Sequence, residues 1–120
     1  MVGDIELRGW YTLPDYEYYH HGMIFRWNEL KAEENEKKHG ITFEEAATAF
    51  RDFNAQIYDD EEHSLDEERF ILLGYSVISH LLVVCHCYKE KDAVIRIISA
   101  RKATRQERKG YEERGWGYEG

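Results

Sequence analysis

The sequence predicts an α+β domain in the order β-α-α-β-β-β-α, an antiparallel sheet with its helices packed on one face. Three observations predict it. Thr42 with Glu45 and Thr104 with Glu107 have capping-box spacing and open helices. Three β-rich runs, Arg69–Tyr75, Leu81–Tyr88 and Ala93–Ala100, lie between them. Only Ser76–Ser79 and Lys89–Asp92 separate these runs, lengths that suit hairpin turns and hence antiparallel neighbours. With 120 residues, one proline, no repeat and no low-complexity tract, the chain makes a single domain.

The elements follow in order. Residues 1–22 crowd Trp10, Tyr11, Tyr16, Tyr18 and Tyr19 among acids with no clean period, and read as an irregular arm or edge strand. Met23–Trp27 alternates as a short strand does. Asn28 caps a helix that Gly40 ends, and Phe43, Ala46, Ala47 and Phe50 give the next helix its apolar face. Asp59–Asp66 reads as a solvated acidic loop. After the three strands comes a final helix that Gly110 weakens and Gly115 ends, so the domain spans residues 23–115 with a short tail, 116–120.

The charge is unevenly spread. Residues 1–66 carry 6 Lys+Arg against 16 Asp+Glu, whereas residues 89–109 carry 8 against 3. A net charge of −8 disfavours a protein coated in nucleic acid, but the basic stretch suits a local anion site. Ile71–Tyr88 is apolar, yet Gly74, Ser76, Ser79, His80 and His86 break it, so no membrane span is expected. Met1–Trp10 is acidic where a secretory signal is basic and then apolar, and Cys85 and Cys87 are too close along one strand to pair. Both point to a reducing cytoplasm.

Each strand places one ionisable group among apolar neighbours: Arg69 with Ile71 and Leu73, His86 with Leu82, Val84 and Tyr88, Arg96 with Val94 and Ile98. A buried, unpaired Arg96 costs several kcal/mol, so it faces a groove or pairs with a carboxylate such as Glu67 or Glu68. Arg101, Lys102, Arg105 and Arg108 follow within a dozen residues. Metal-free RNA cleavage needs a base for the 2′-hydroxyl, an acid for the leaving oxygen and cations for the phosphorane. Arg69, His86, Arg96 and Arg101 supply those types as candidate catalytic residues, with Tyr88, Lys102, Arg105 and Arg108 as candidate RNA contacts.

The run Trp27–Ala46, which holds Lys38-His39-Gly40-Ile41, resembles the opening of the BrnT toxin family. So do Glu68-Arg69-Phe70, Leu81–Val84 with His86, and above all Arg96-Ile97-Ile98-Ser99-Ala100-Arg101-Lys102-Ala103-Thr104. The match covers about residues 23–113 in order. Members usually carry Asp where Asn28 stands, and residues 1–22 precede the usual start. The resemblance implies a RelE-like fold, ribonuclease activity that lowers translation, and a BrnA antitoxin that neutralises the toxin and binds operator DNA with it. It places Arg69, His86, Arg96 and Arg101 on the active surface, with no cofactor.

Other readings compete. Cys85-His86-Cys87 lacks the further ligands of a zinc site, so both cysteines read as core residues. His39 complements a helix C-terminus, His63 lies in the acidic loop, and His20 and His21 lie in the arm; all four read as structural or surface residues. The acidic total also suits a non-catalytic module of the same fold that regulates transcription with its antitoxin.

Overall fold

Asn28 and Gly40 bracket the first helix as their chemistry dictates. In the computed structural model, which describes residues 15–64 and 66–117, α1 spans Glu29–His39. The Asn28 side-chain oxygen accepts the Leu30 and Lys31 amides at 2.9 and 3.0 Å. Gly40, at φ 73°, turns left-handed and returns its N–H to Glu36 O, a conformation that costs a residue without Cβ little. Thr42 Oγ1 then accepts the Glu45 amide at 3.0 Å and opens α2, Phe43–Thr48, which tightens into a 3-10 turn at Ala49–Arg51. The Glu45 carboxylate reaches away from its own cap to Ser76 Oγ at 2.7 Å and His80 Nδ1 at 2.6 Å, fastening α2 to the sheet.

Six strands form one sheet: β1 (Tyr16–His20), β2 (Met23–Trp27), β3 (Gln56–Asp59), β4 (Phe70–Tyr75), β5 (Leu81–Lys89) and β6 (Val94–Lys102). Their spatial order is β1-β2-β6-β5-β4-β3. The three hairpin-linked strands pair antiparallel as the short turns require. Three features correct the sequence-based picture. First, β2 runs parallel to β6, with Ile24 opposite Val94 and Arg26 opposite Arg96, so the sheet is mixed. Second, β3 is an edge strand absent from the β-α-α-β-β-β-α order, and β1, which bears out the edge-strand reading of residues 1–22, adds a sixth strand to it. Of residues 1–22, positions 16–20 form β1, and positions 1–14 lie outside the described residues, as do 118–120 of the tail.

Third, the helices cover both faces. On one face Phe25, Trp27, Leu72 and Val84 pack against Ile41, Phe43 and Ala46 from the α1–α2 side. Gly74 is needed there: a Cβ on it would come within 3.0 Å of Ala49 O. The last helix, α3 (Arg105–Gly117), lies on the other face, where Tyr111 packs with Leu73, Leu81 and Val83. Tyr111 Oη also donates to Asp52 at 2.6 Å. The reason is in the strands themselves. β4 and the first half of β5 are apolar at successive positions rather than alternate ones, which requires a cover on each side. The Ala103 amide bonds Leu81 O, and the reciprocal Thr104–Glu107 cap turns the chain back over that second face.

Candidate nucleic-acid interface

The second face, beyond the reach of Tyr111, carries the cations. Arg26, Arg96 and Arg101 project from it on β2 and β6, and Arg69 enters just before β4. Carboxylates divide them. Arg26 donates to Glu17 Oε2 through Nε at 3.0 Å and Nη2 at 2.6 Å, and also reaches Glu90 at 2.9 Å. Arg96 pairs with Asp15, the residue before β1, rather than with Glu67 or Glu68. Desolvation lowers the Arg96 pKa from its ordinary value.

Arg69 and Arg101 line a cavity of about 460 Å³, together with Ile71, Val83, Cys85, Ile98 and Ser99. A β-bulge shapes it. Cys85 opposes Ser99 but His86 opposes Ile97, which leaves Ile98 as the extra residue. Arg101 lies in a bidentate pair with Glu107, 2.9 Å on each arm, and this contact is the main reason the Glu107 carboxyl falls to about 2. Arg69 is less satisfied: its Nε is buried and makes no hydrogen bond among the described residues. The Glu67 carboxylate stands 3.8 Å away, beyond hydrogen-bond reach, and is itself taken by Lys89 Nζ at 2.7 Å.

The acidic loop supplies the rest of the wall. The Asp60 amide bonds Arg69 O at 2.8 Å, and Ser64 pins the loop by donating to Asp60 O and accepting the Arg69 amide. Asp60 is thereby buried, at 7% exposure, although the charge run reads as solvated. Its carboxylate accepts from His63 Nδ1 at 3.1 and 3.2 Å and from Cys85 Sγ at 3.5 Å. Burial first, and Asp60 second, push the Cys85 thiol up to about 12. His63 and His39 both line the cavity. The sequence reading takes these two histidines as structural or surface residues and Asp60 as part of a solvated run, whereas the fold brings all three to the cavity wall. The available signal was the Asp60–His63 separation of three, which places both on one side of a helical turn.

The remaining candidates lie elsewhere. His86 is on the α1–α2 face with no exposure, its ring against Phe50 and Phe70. Its Nδ1–H donates to Val84 O at 3.1 Å, so Nε2 accepts from Tyr88 Oη at 3.2 Å. Burial lowers its pKa. Tyr88 borders a separate cavity with Glu67, Glu68, Lys89 and Asp92. Arg108 donates to Tyr75 Oη at 2.9 Å and sits over that ring, while Lys102 and Arg105 are exposed at the β6–α3 junction. Cys85 and Cys87 share the second face whereas His86 points to the first, so the three do not converge.

A mixed sheet with a guanidinium-lined cavity beside an Asp–His pair has groups that can hold an anion and move a proton. The family description "Ribonuclease toxin, BrnT, of type II toxin-antitoxin system" matches residues 27–107. The chain therefore belongs to the BrnT family of type II toxin–antitoxin ribonuclease toxins. No curated protein matches it. Membership makes an antitoxin its partner class. No helix among the described residues is long and apolar enough to cross a membrane.

Proposed function

We propose that the protein is an endoribonuclease that cuts RNA by metal-independent general acid–base chemistry and is neutralised by a BrnA-like antitoxin. The observation that carries this reading is the cavity in which Arg69 holds a buried Nε, without a hydrogen bond among the described residues, beside the bidentately oriented Arg101. A scissile phosphate placed there meets the Arg69 guanidinium and the N–H groups of Arg101 that Glu107 and Lys102 leave free. The 2′-oxygen attacks phosphorus, the bond to the 5′-oxygen breaks, and a 2′,3′-cyclic phosphate forms. Both guanidinia stabilise the charge that develops on the non-bridging oxygens. The Glu107 pair fixes the Arg101 fork before substrate arrives, which lowers the ordering cost of binding. Arg96 lies on the same face but is paired with Asp15, and His86 with Tyr88 supports β5 from behind. Operator DNA is reached through the antitoxin complex, in the cytoplasm.

The test is cleavage of RNA in excess EDTA, with product ends read chemically. Cyclic phosphate ends, with rates lowered about 10²–10³-fold by Arg69→Ala and by Arg101→Ala, support the reading. Unchanged rates in both variants refute it. A second reading, a binding module that has lost catalysis, draws on the carboxylate pairing of Arg96 and Arg101. Folded protein that leaves RNA intact with and without ribosomes would establish that alternative.

A further inference from the structure

Two histidines face the cavity that the arginines line, and one of them has a built-in orienting group. Asp60 is buried and a carboxylate oxygen accepts, so this bond is made by the His63 tautomer that carries its hydrogen on Nδ1. That bond leaves Nε2 of a neutral His63 as a bare acceptor. A carboxylate fixing an imidazole tautomer in this way is how general bases are commonly prepared. Asp60 is itself immobile, since its amide is tied to Arg69 and its carbonyl to Ser64. One short loop therefore sets His63 and Arg69 relative to each other. His39 comes from the β6 side, beside Ile98 and Ser99, whereas His63 comes from the Cys85 side.

We propose that His63 is the catalytic base of this cavity, oriented by Asp60, and that His39 is the acid. The assignment rests on the ribonuclease reading and adds its proton transfers. His63 Nε2 takes the 2′-hydroxyl proton as the 2′-oxygen bonds to phosphorus. The phosphorus–5′-oxygen bond breaks, and the departing 5′-oxygen takes a proton from the His39 imidazolium. One proton is gained and one given, so the enzyme ends with the two histidines exchanged in state, and solvent resets them. Asp60 is a positioning residue and takes no part in the proton transfers.

The experiment compares wild type, His63→Ala and His39→Ala on a pool of oligonucleotides covering every dinucleotide junction. Each junction carries either the natural bridging 5′-oxygen or a bridging 5′-sulfur, whose thiolate leaves without a proton. Expected are kcat losses of about 10²–10⁴-fold for both variants on the oxygen substrate with KM little changed. On the sulfur substrate His39→Ala returns to near the wild-type rate, His63→Ala stays slow, and added imidazole restores part of the His63→Ala rate. His63 is 62% exposed, so its truncation should leave the fold intact, and His63→Gln provides a second version. A His63→Ala rate within about threefold of wild type, or a loss that imidazole does not relieve, overturns the assignment while wild-type cleavage keeps the ribonuclease reading. Wild type that cleaves neither substrate, with or without ribosomes, overturns both.

Discussion

Replacing Asn35 by alanine should unfasten α1 from the sheet. The helix buries little else, because Asn35 is its only buried residue. Its Nδ2 donates to Ile41 O at 3.0 Å and Ala100 O at 2.8 Å, and its Oδ1 accepts the Ala100 amide at 3.0 Å. Ile41 and Ala100 are themselves buried, so truncation strands one donor and two acceptors away from solvent. A stranded backbone group costs about 1–3 kcal/mol, and water entering the vacated space recovers part of that. The three together come to about 3–4 kcal/mol, a large fraction of the stability of a domain this size. At about 4 °C per kcal/mol the melting temperature should fall by about 12–16 °C. Thermal unfolding followed by circular dichroism measures it, and a fall of less than about 3 °C would refute the argument. The site is coupled to this bond: Ala100 and His39 both border the cavity, and His39 lies one turn beyond Asn35 on α1.

Two further predictions concern titrating groups. Glu107 falls from 4.5 to about 2 in the folded protein, so its contribution is complete above pH 4.5 and fades as pH drops towards 2. Glu107→Gln should cost about 1 kcal/mol at pH 6, after discounting for a side chain one-third exposed, and almost nothing near pH 2; urea titrations showing an equal gap at both pH values contradict this. The Cys85 thiol, at about 12, should react with iodoacetamide at pH 8 about three orders of magnitude more slowly than an exposed cysteine. Mass-resolved labelling of Cys85 at the rate of a free thiol would show that the burial and the Asp60 contact do not govern it.

What was legible in the sequence was local. Asn28, Gly40, Thr42 and Thr104 act within a few residues of themselves, and each does what its type dictates. The β4–β5–β6 hairpins likewise follow from two short turns. What was not legible depends on partners distant in the chain. Alternation puts His86 with Leu82 and Val84, but nothing local says that this side meets Phe50 rather than solvent. β3 has four residues and merges into the acidic run, so its pairing with β4 leaves no periodic trace. Asp60 reads as one charge among several until Ser64 and Cys85 enclose it. The uninterrupted apolar character of β4 and early β5 did carry the signal for a two-sided cover, and hence for α3 on the second face.

The N-terminal hairpin explains why the cations separate into two groups. β6 would otherwise be an edge with unpaired backbone, and β2 closes it by pairing parallel, with β1 outermost. That addition brings Asp15 onto Arg96, and Glu17 onto Arg26, which stands opposite Arg96 in the register. The basic track is thus neutralised at the β1–β2 end, where Glu90 from the β5–β6 turn adds a further carboxylate. At the far end the loop from Asp60 to Arg69 closes on itself, and its one buried acid is turned towards His63 and Cys85 instead of the arginine. Among the described residues Arg69 is left as the guanidinium with an unmet buried donor. On the proposed reading a phosphate on this face gains most at Arg69, whose nearest carboxylate, Glu67, stands 3.8 Å away and is held by Lys89, whereas Arg26 and Arg101 are hydrogen-bonded to theirs. The proposed site thus lies where the nearest carboxylate is turned to another cation, not where the arginines are most numerous.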